Sequence, residues 1–160
     1  MMKIKGIISE DFINYKKPSM VIEFPYCSFK CDKECGQQVC QNSDLVQSPT
    51  YEITVKKIVL HYLKNDITEA IVMQGLEPFD SIDDLIQLIL FIRKHTNDDI
   101  VIYTGYTEEE LESEIQMFYD YDLKNIIIKF GRFIPDQSYH FDKILGVTLT
   151  SPNQYAKKIC

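Results

Sequence analysis

The chain has 160 residues, 45% hydrophobic and 12% aromatic, which points to one folded domain over 1–160 with a sizeable core and excludes charge-rich disorder. Its net charge of −7 argues against non-specific nucleic-acid binding and a polybasic membrane anchor, leaving a small molecule or a protein as the fitting partner. No segment reaches the roughly 18–20 apolar residues that span a bilayer; the longest apolar run, Leu88 to Ile92, lies inside a helical pattern.

Met1 to Gly6 show neither the apolar core nor the cleavage site of a signal peptide, so a cytoplasmic chain with reduced thiols is expected. The first strand reads from Met20 to Phe24. It runs straight into "PYCSFKCDKECGQQVCQN", which holds Cys27, Cys31, Cys35 and Cys40. Clustered thiols in a reducing compartment read as metal ligands before disulfides, and the total of five cysteines is odd. Zinc sites pair their ligands as close knuckles, often C-x-x-C. No such pair occurs here, and the spacings of three, three and four residues suit a cluster with irons at several corners. On spacing alone, an iron–sulfur cluster, a zinc ion and inert core cysteines all stay open.

Elements alternate after this loop. Val55, Ile58, Val59, Tyr62 and Leu63 make the stripe of an amphipathic helix whose start is expected at Ser48-Pro49. Ala70 to Met73 is a short buried strand stopping at Gly75, and Ser81 with Asp84 resembles a capping box ahead of Leu85, Leu88, Ile89 and Ile92. Asp99 to Tyr103 reads as a strand ending at Gly105; Thr107 and Glu110 form a second box before Leu111, Ile115 and Phe118. Strands follow at Asn125 to Lys129 and at Ile144 to Thr148. This order implies right-handed βαβ crossovers and a largely parallel sheet covered on one or both faces. Ligands in such sheets sit at the carboxyl ends of the strands, where "PYCSFKC", "QGLEP", "YTGY", "KFGRF" and "TLTSPNQ" would face one edge.

Taken residue by residue, these ends also have plainer explanations. Glu77 fits a solvated strand-to-helix turn, Tyr103 to Tyr106 a glycine turn with packed tyrosines, and Lys129 a snorkelling edge residue. His61, His95 and His140 keep no ligand spacing with the cysteines and read as structural. The run Glu108 to Glu110 fits a helix N-terminus and needs no partner, and Cys160 reads as a bystander.

"CSFKC" followed by "CQN" and then "QGLEP" resembles a radical S-adenosylmethionine (SAM) enzyme. "IYTGY", "KFGRF" and "SPNQ" narrow the resemblance to the activating enzyme of the anaerobic (class III) ribonucleotide reductase, over about Ile7 to Ile159. The resemblance implies an abbreviated open (β/α) barrel of five or six mainly parallel strands, with the cluster loop after the first. It implies three thiolates holding a [4Fe-4S] cluster and SAM chelating the iron left without a protein ligand. One electron then splits SAM, and the 5′-deoxyadenosyl radical takes a hydrogen from a glycine of the large catalytic subunit of the reductase. A one-electron donor such as flavodoxin or ferredoxin is implied; nucleic acid and membrane are not.

The residues carried over are Cys27, Cys31 and a third cysteine. The family spacing is Cys-x3-Cys-x2-Cys, but position 34 is Glu34, so either Cys35 or Cys40 must serve. In related activating enzymes an aromatic residue and an asparagine follow the third ligand. Cys40-Gln41-Asn42 keeps the asparagine, which places Cys40 ahead of Cys35. Gly75, Glu77 and Pro78 match the motif whose strand end receives the SAM amino group, with Leu76 in place of its second glycine. Tyr103 and Thr104 lie at the next strand end, and Lys129 with Gly131 at the one that reaches the SAM carboxylate or ribose. Two other functions stay open: a radical SAM enzyme acting on another protein or peptide, and a non-enzymatic cysteine–metal module holding zinc or Fe–S.

Overall fold

The computed structural model describes residues 1–40 and 42–160; Gln41, where the resemblance leads one to expect an aromatic residue, lies outside them. The chain opens with β1 (Met2–Ile4), β2 (Gly6–Asp11) and β3 (Ser19–Phe24). Two short helices, α1 (Lys30–Cys35) and α2 (Ser43–Gln47), occupy the cysteine region, followed by β4 (Tyr51–Ile53) and α3 (Val55–Leu63). Then come β5 (Ala70–Gly75), a 3₁₀ turn (Pro78–Ser81), α4 (Ile82–Arg93), β6 (Asp99–Tyr103), α5 (Glu112–Asp120) and β7 (Ile126–Phe130). A hairpin of β8 (His140–Asp142) and β9 (Val147–Leu149) precedes β10 (Tyr155–Lys158).

The central sheet has the order β10-β7-β6-β5-β3-β2. Its four middle strands are parallel, and β2 and β10 close the two edges antiparallel. The middle strands are apolar along nearly their whole length because both faces are covered. Met20, Ile22, Ile71, Met73, Ile100, Ile102, Ile126 and Ile128 turn to the face packed by Leu85, Leu88 and Ile89 of α4 and Phe118 of α5. The alternate residues Val21, Val72, Val101 and Ile127 turn to the other face, against Tyr15, Leu145, Leu149 and Ala156. Two-residue periodicity thus splits each strand between two cores, and each fully buried aliphatic side chain contributes about 1.5–3 kcal/mol.

Several expectations need correction. Ser48-Pro49 does not start α3: the residue before proline is driven to extended backbone, and Ser48 (φ −70°, ψ 150°) ends α2 and leads into β4. Thr54 caps α3 instead, accepting from the Lys57 amide at 3.1 Å. Ser81 stands at the start of α4 but makes no cap, because the chain enters the helix through the 3₁₀ turn already capped by Glu77. The box at Thr107 forms its two bonds, Glu110 N–H to Thr107 Oγ1 at 3.2 Å and Thr107 N–H to Glu110 Oε1 at 3.1 Å, but around a turn: α5 starts only at Glu112, after Leu111, and no side chain caps it.

Ile144 to Thr148 is not a further parallel strand. Its first residues form a turn and the rest begins β9, which pairs with β8 outside the central sheet. Among the described residues the parallel strands therefore number four rather than five or six, in a mixed α/β fold with a mostly parallel sheet. The cysteine loop follows the first of these four, but two antiparallel strands come before it in the chain. Among the described residues, no helix is long and apolar enough to cross a membrane.

Candidate functional site

The carboxyl ends of β3, β5, β6 and β7 surround a cavity of about 280 Å³. Cys27, Cys31 and Cys40 line it; Cys35, at the end of α1, does not. Asn42, Gly75, Glu77, Tyr103, Thr104 and Lys129 line it as well. Pro78 stays out of the wall: it is buried as the first residue of the 3₁₀ turn. Neither Cys160 nor any of the three histidines reaches the cavity. His61 instead meets Ser9 at 2.8 Å, and His95 packs on Phe91.

Each lining cysteine receives a backbone N–H. Phe29 donates to Cys27 Sγ at 3.2 Å and Asn42 to Cys40 Sγ at 3.4 Å, while the Phe133 amide bonds Cys31. Burial pushes the Cys27 thiol up to about 11, opposed by its amide donor, and raises Cys31 as well; Cys40 lies near enough to raise both further. Neutral thiols are thus preferred until a metal ion replaces the proton. Among the described residues, no three His, Cys, Asp or Glu side chains converge tightly enough to hold a single metal ion. Three cysteines lining one cavity supply the kind of thiolate that an iron–sulfur cluster takes as ligand.

Glu77 is no solvated turn residue. It is 5% exposed, and its carboxylate straps two strand ends together. Oε1 accepts from the Phe79 amide at 3.1 Å and the Thr104 hydroxyl at 2.8 Å, and Oε2 from the Gly105 amide at 2.9 Å. Burial raises its pKa to about 7 against the pull of those three donors. Lys129 is equally far from a snorkelling edge residue. It lies on the inner strand β7, 7% exposed, and donates to the Gly131 carbonyl at 3.0 Å. Burial lowers its pKa to about 8, opposed by Glu77 and Cys31. One cavity therefore holds a buried carboxyl and a buried amine, each close to titrating at neutral pH.

Two glycines are required by close approach. A Cβ on Gly75 (φ +92°) would sit 2.8 Å from Glu23 Cα, and one on Gly131 (φ +104°) 2.8 Å from the Asn153 carbonyl oxygen. Around the rim, ionic contacts join the cysteine loop to the body. Arg132, 8% exposed, forks onto both Glu110 oxygens at 2.7 Å, and its Nε lies 3.2 Å from Glu34 without the alignment of a hydrogen bond. Lys30 reaches Glu110 at 3.0 Å and lies over the Tyr106 ring. Asp80 accepts from the Ser28 amide at 2.8 Å and the Tyr106 hydroxyl at 2.5 Å.

The acidic run therefore does have partners, contrary to expectation. Glu110 takes Arg132 and Lys30, which hold its carboxyl well below the usual range, and Glu108 takes Lys157 at 2.6 Å and Tyr155 at 2.8 Å. Arg132, Asn14 and Gln154 also line the cavity. Arg132 belongs to the strand-end segment "KFGRF" and was legible as to place, though not as to role. Asn14 comes from the β2–β3 connection, held by Tyr103 O–H to its carbonyl, and no local motif marks it.

The family model described as a 4Fe-4S single cluster domain matches residues 19–146, taking in the cysteine loop and all four parallel strands. No curated protein and no solved structure matches the chain.

Proposed function

The chain belongs to the 4Fe-4S single cluster domain family, a radical SAM-associated iron–sulfur domain, and from that premise we propose that it is a radical SAM activase of an anaerobic ribonucleotide reductase. The supporting observation is the content of the cavity: three thiols in its lining, with a buried carboxyl and a buried amine at the strand ends. Cys27, Cys31 and Cys40 hold the cluster, with Cys35 outside it. When bound, the [4Fe-4S] cluster supplies the single electron that cleaves SAM reductively.

Glu77 and Lys129 meet the ammonium and carboxylate of the methionine end of SAM, in a site dry enough to strengthen both pairings. Asn42, Gly75, Tyr103 and Thr104 line the remaining contact surface, and Pro78 acts by fixing the turn that carries Glu77. The fold is then the open (β/α) barrel of radical SAM type. The protein substrate is the glycine-bearing large catalytic subunit, and a donor such as flavodoxin or ferredoxin delivers the electron in the cytoplasm. Family membership alone carries an iron–sulfur domain. The opposed buried charges favour SAM, since a purely electron-transferring module has no use for a socket shaped for a zwitterion.

The test is anaerobic mixing of reconstituted protein, SAM, a one-electron reductant and the cognate large subunit. A glycyl radical signal on that subunit is expected, lost with Cys27→Ala or Cys31→Ala. SAM cleavage without that signal would overturn the activase assignment. Absence of SAM cleavage by a protein carrying a full cluster would overturn the radical SAM assignment too.

A further inference from the structure

Cys31 and Cys40 are separated by a longer excursion than the family pattern allows, and little packing holds it. Helix α1 buries no residue, and Lys33, Glu34, Gly36, Gln37 and Gln38 are exposed. Gly36 (φ +69°) ends α1 in the left-handed conformation, with open space where a Cβ would stand, and turns the chain back. One oxygen then gathers the returning chain. Asp32 Oδ1 accepts the Val39 amide at 2.7 Å and the Cys40 amide at 2.8 Å.

We propose that Asp32 is the positioning residue that returns Cys40 to the cavity, so that the long excursion delivers the third cluster thiol and Cys35 is bypassed. The inference rests on the cluster assignment above. Hydrogen bonds to a carboxylate are short and roughly twice as strong as neutral ones, and here both fall on the amides next to the thiol. Asp32 lies in the first turn of α1, where an acidic residue would ordinarily serve its own helix; its side chain instead holds residues seven and eight positions ahead. Beyond the thiol, Asn42 fixes the other side, its amide group donating to the Gly75 carbonyl at 2.6 Å and its backbone N–H to Cys40 Sγ. Cys40 is pinned from both directions, and Asp32 supplies the half that the shorter family spacing would otherwise provide.

The experiment compares wild type with Asp32→Ala, Asp32→Asn and Cys35→Ser. In the apo proteins, hydrogen exchange at the Val39 and Cys40 amides should quicken about tenfold in Asp32→Ala, the loss of one good hydrogen bond each. The β5 amides should not change, which certifies the fold of a variant altered outside both cores. After anaerobic reconstitution, Asp32→Ala should lose most of its iron and its reduced-cluster resonance signal. Asp32→Asn, whose carbonyl oxygen can accept the same two amides, should keep both, as should Cys35→Ser. An Asp32→Ala protein with wild-type exchange, iron and signal would overturn the proposal. A wild type that takes up no iron would overturn the cluster assignment instead, leaving the exchange rates to decide whether Asp32 holds the loop.

Discussion

Replacing Glu77 with alanine leaves three donors without their acceptor: the Phe79 and Gly105 amides and the Thr104 hydroxyl, now held at 3.1, 2.9 and 2.8 Å. A buried donor stripped of its partner costs about 1–3 kcal/mol. Two effects offset the sum. Water entering the cavity can serve the donors that face it, and the wild-type carboxylate carries its own burial penalty, expressed in a pKa near 7. The net loss is about 2 kcal/mol, which for a chain of this size lowers Tm by roughly 4–8 °C. Calorimetry of the apo protein at pH 8, where the carboxyl is ionised, measures it. Glu77→Gln should fall between, because its carbonyl can keep the Thr104 and Phe79 donors while its amino group meets the Gly105 amide donor to donor. An alanine variant melting within about a degree of wild type would show that Glu77 does not strap the ends of β5 and β6 together.

The remaining expectations concern ligands, protons and the rim. Cys40→Ala should abolish the [4Fe-4S] cluster while Cys35→Ala keeps it, read as iron and sulfide per chain; the reverse pattern would assign Cys35. SAM should bind best between about pH 7 and 8, since Glu77 protonates below and Lys129 loses its proton above, and titration calorimetry across pH 5.5–9.5 that gives a monotonic curve would refute the pairing. In the apo protein the raised pKa of Glu77 means the folded state holds the extra proton, so its contribution to stability falls as pH rises from 4.5 to about 7. Lys129, lowered from 10.5 to about 8, makes a contribution that falls as pH drops through that window. Arg132→Lys keeps the charge but not the fork onto Glu110; because Glu110 is a third exposed, the cost in urea unfolding should be about 1–2 kcal/mol rather than that of a fully buried pair.

What the sequence determined by itself is the set of strands whose ends line the cavity, and hence which end of the sheet holds it. The runs at Met20–Phe24, Ala70–Met73, Asp99–Tyr103 and Asn125–Lys129 are legible because burial on both faces demands uninterrupted apolar residues, and that demand is local. The glycine-containing segments that follow them mark the strand ends for the same reason. The two antiparallel edges, β2 and β10, and the β8–β9 hairpin were not legible: all four strands are partly exposed, so no uninterrupted apolar run marks them, and β10 gains its place only by pairing with β7, which precedes that hairpin in the chain. Local patterns misled where a stronger neighbour prevailed, as Pro49 did over a helix start at Ser48 and the Glu77 cap over one at Ser81. The carry-over of Glu77 and Lys129 rested on motif position. That both are buried, and that Glu77 is already bonded to three protein donors, is a property of the assembled cavity. Tertiary structure likewise decided which thiols share that cavity, because the side of a loop that Cys35 or Cys40 occupies depends on hydrogen bonds that Asp32 accepts and Asn42 donates, which no spacing rule encodes.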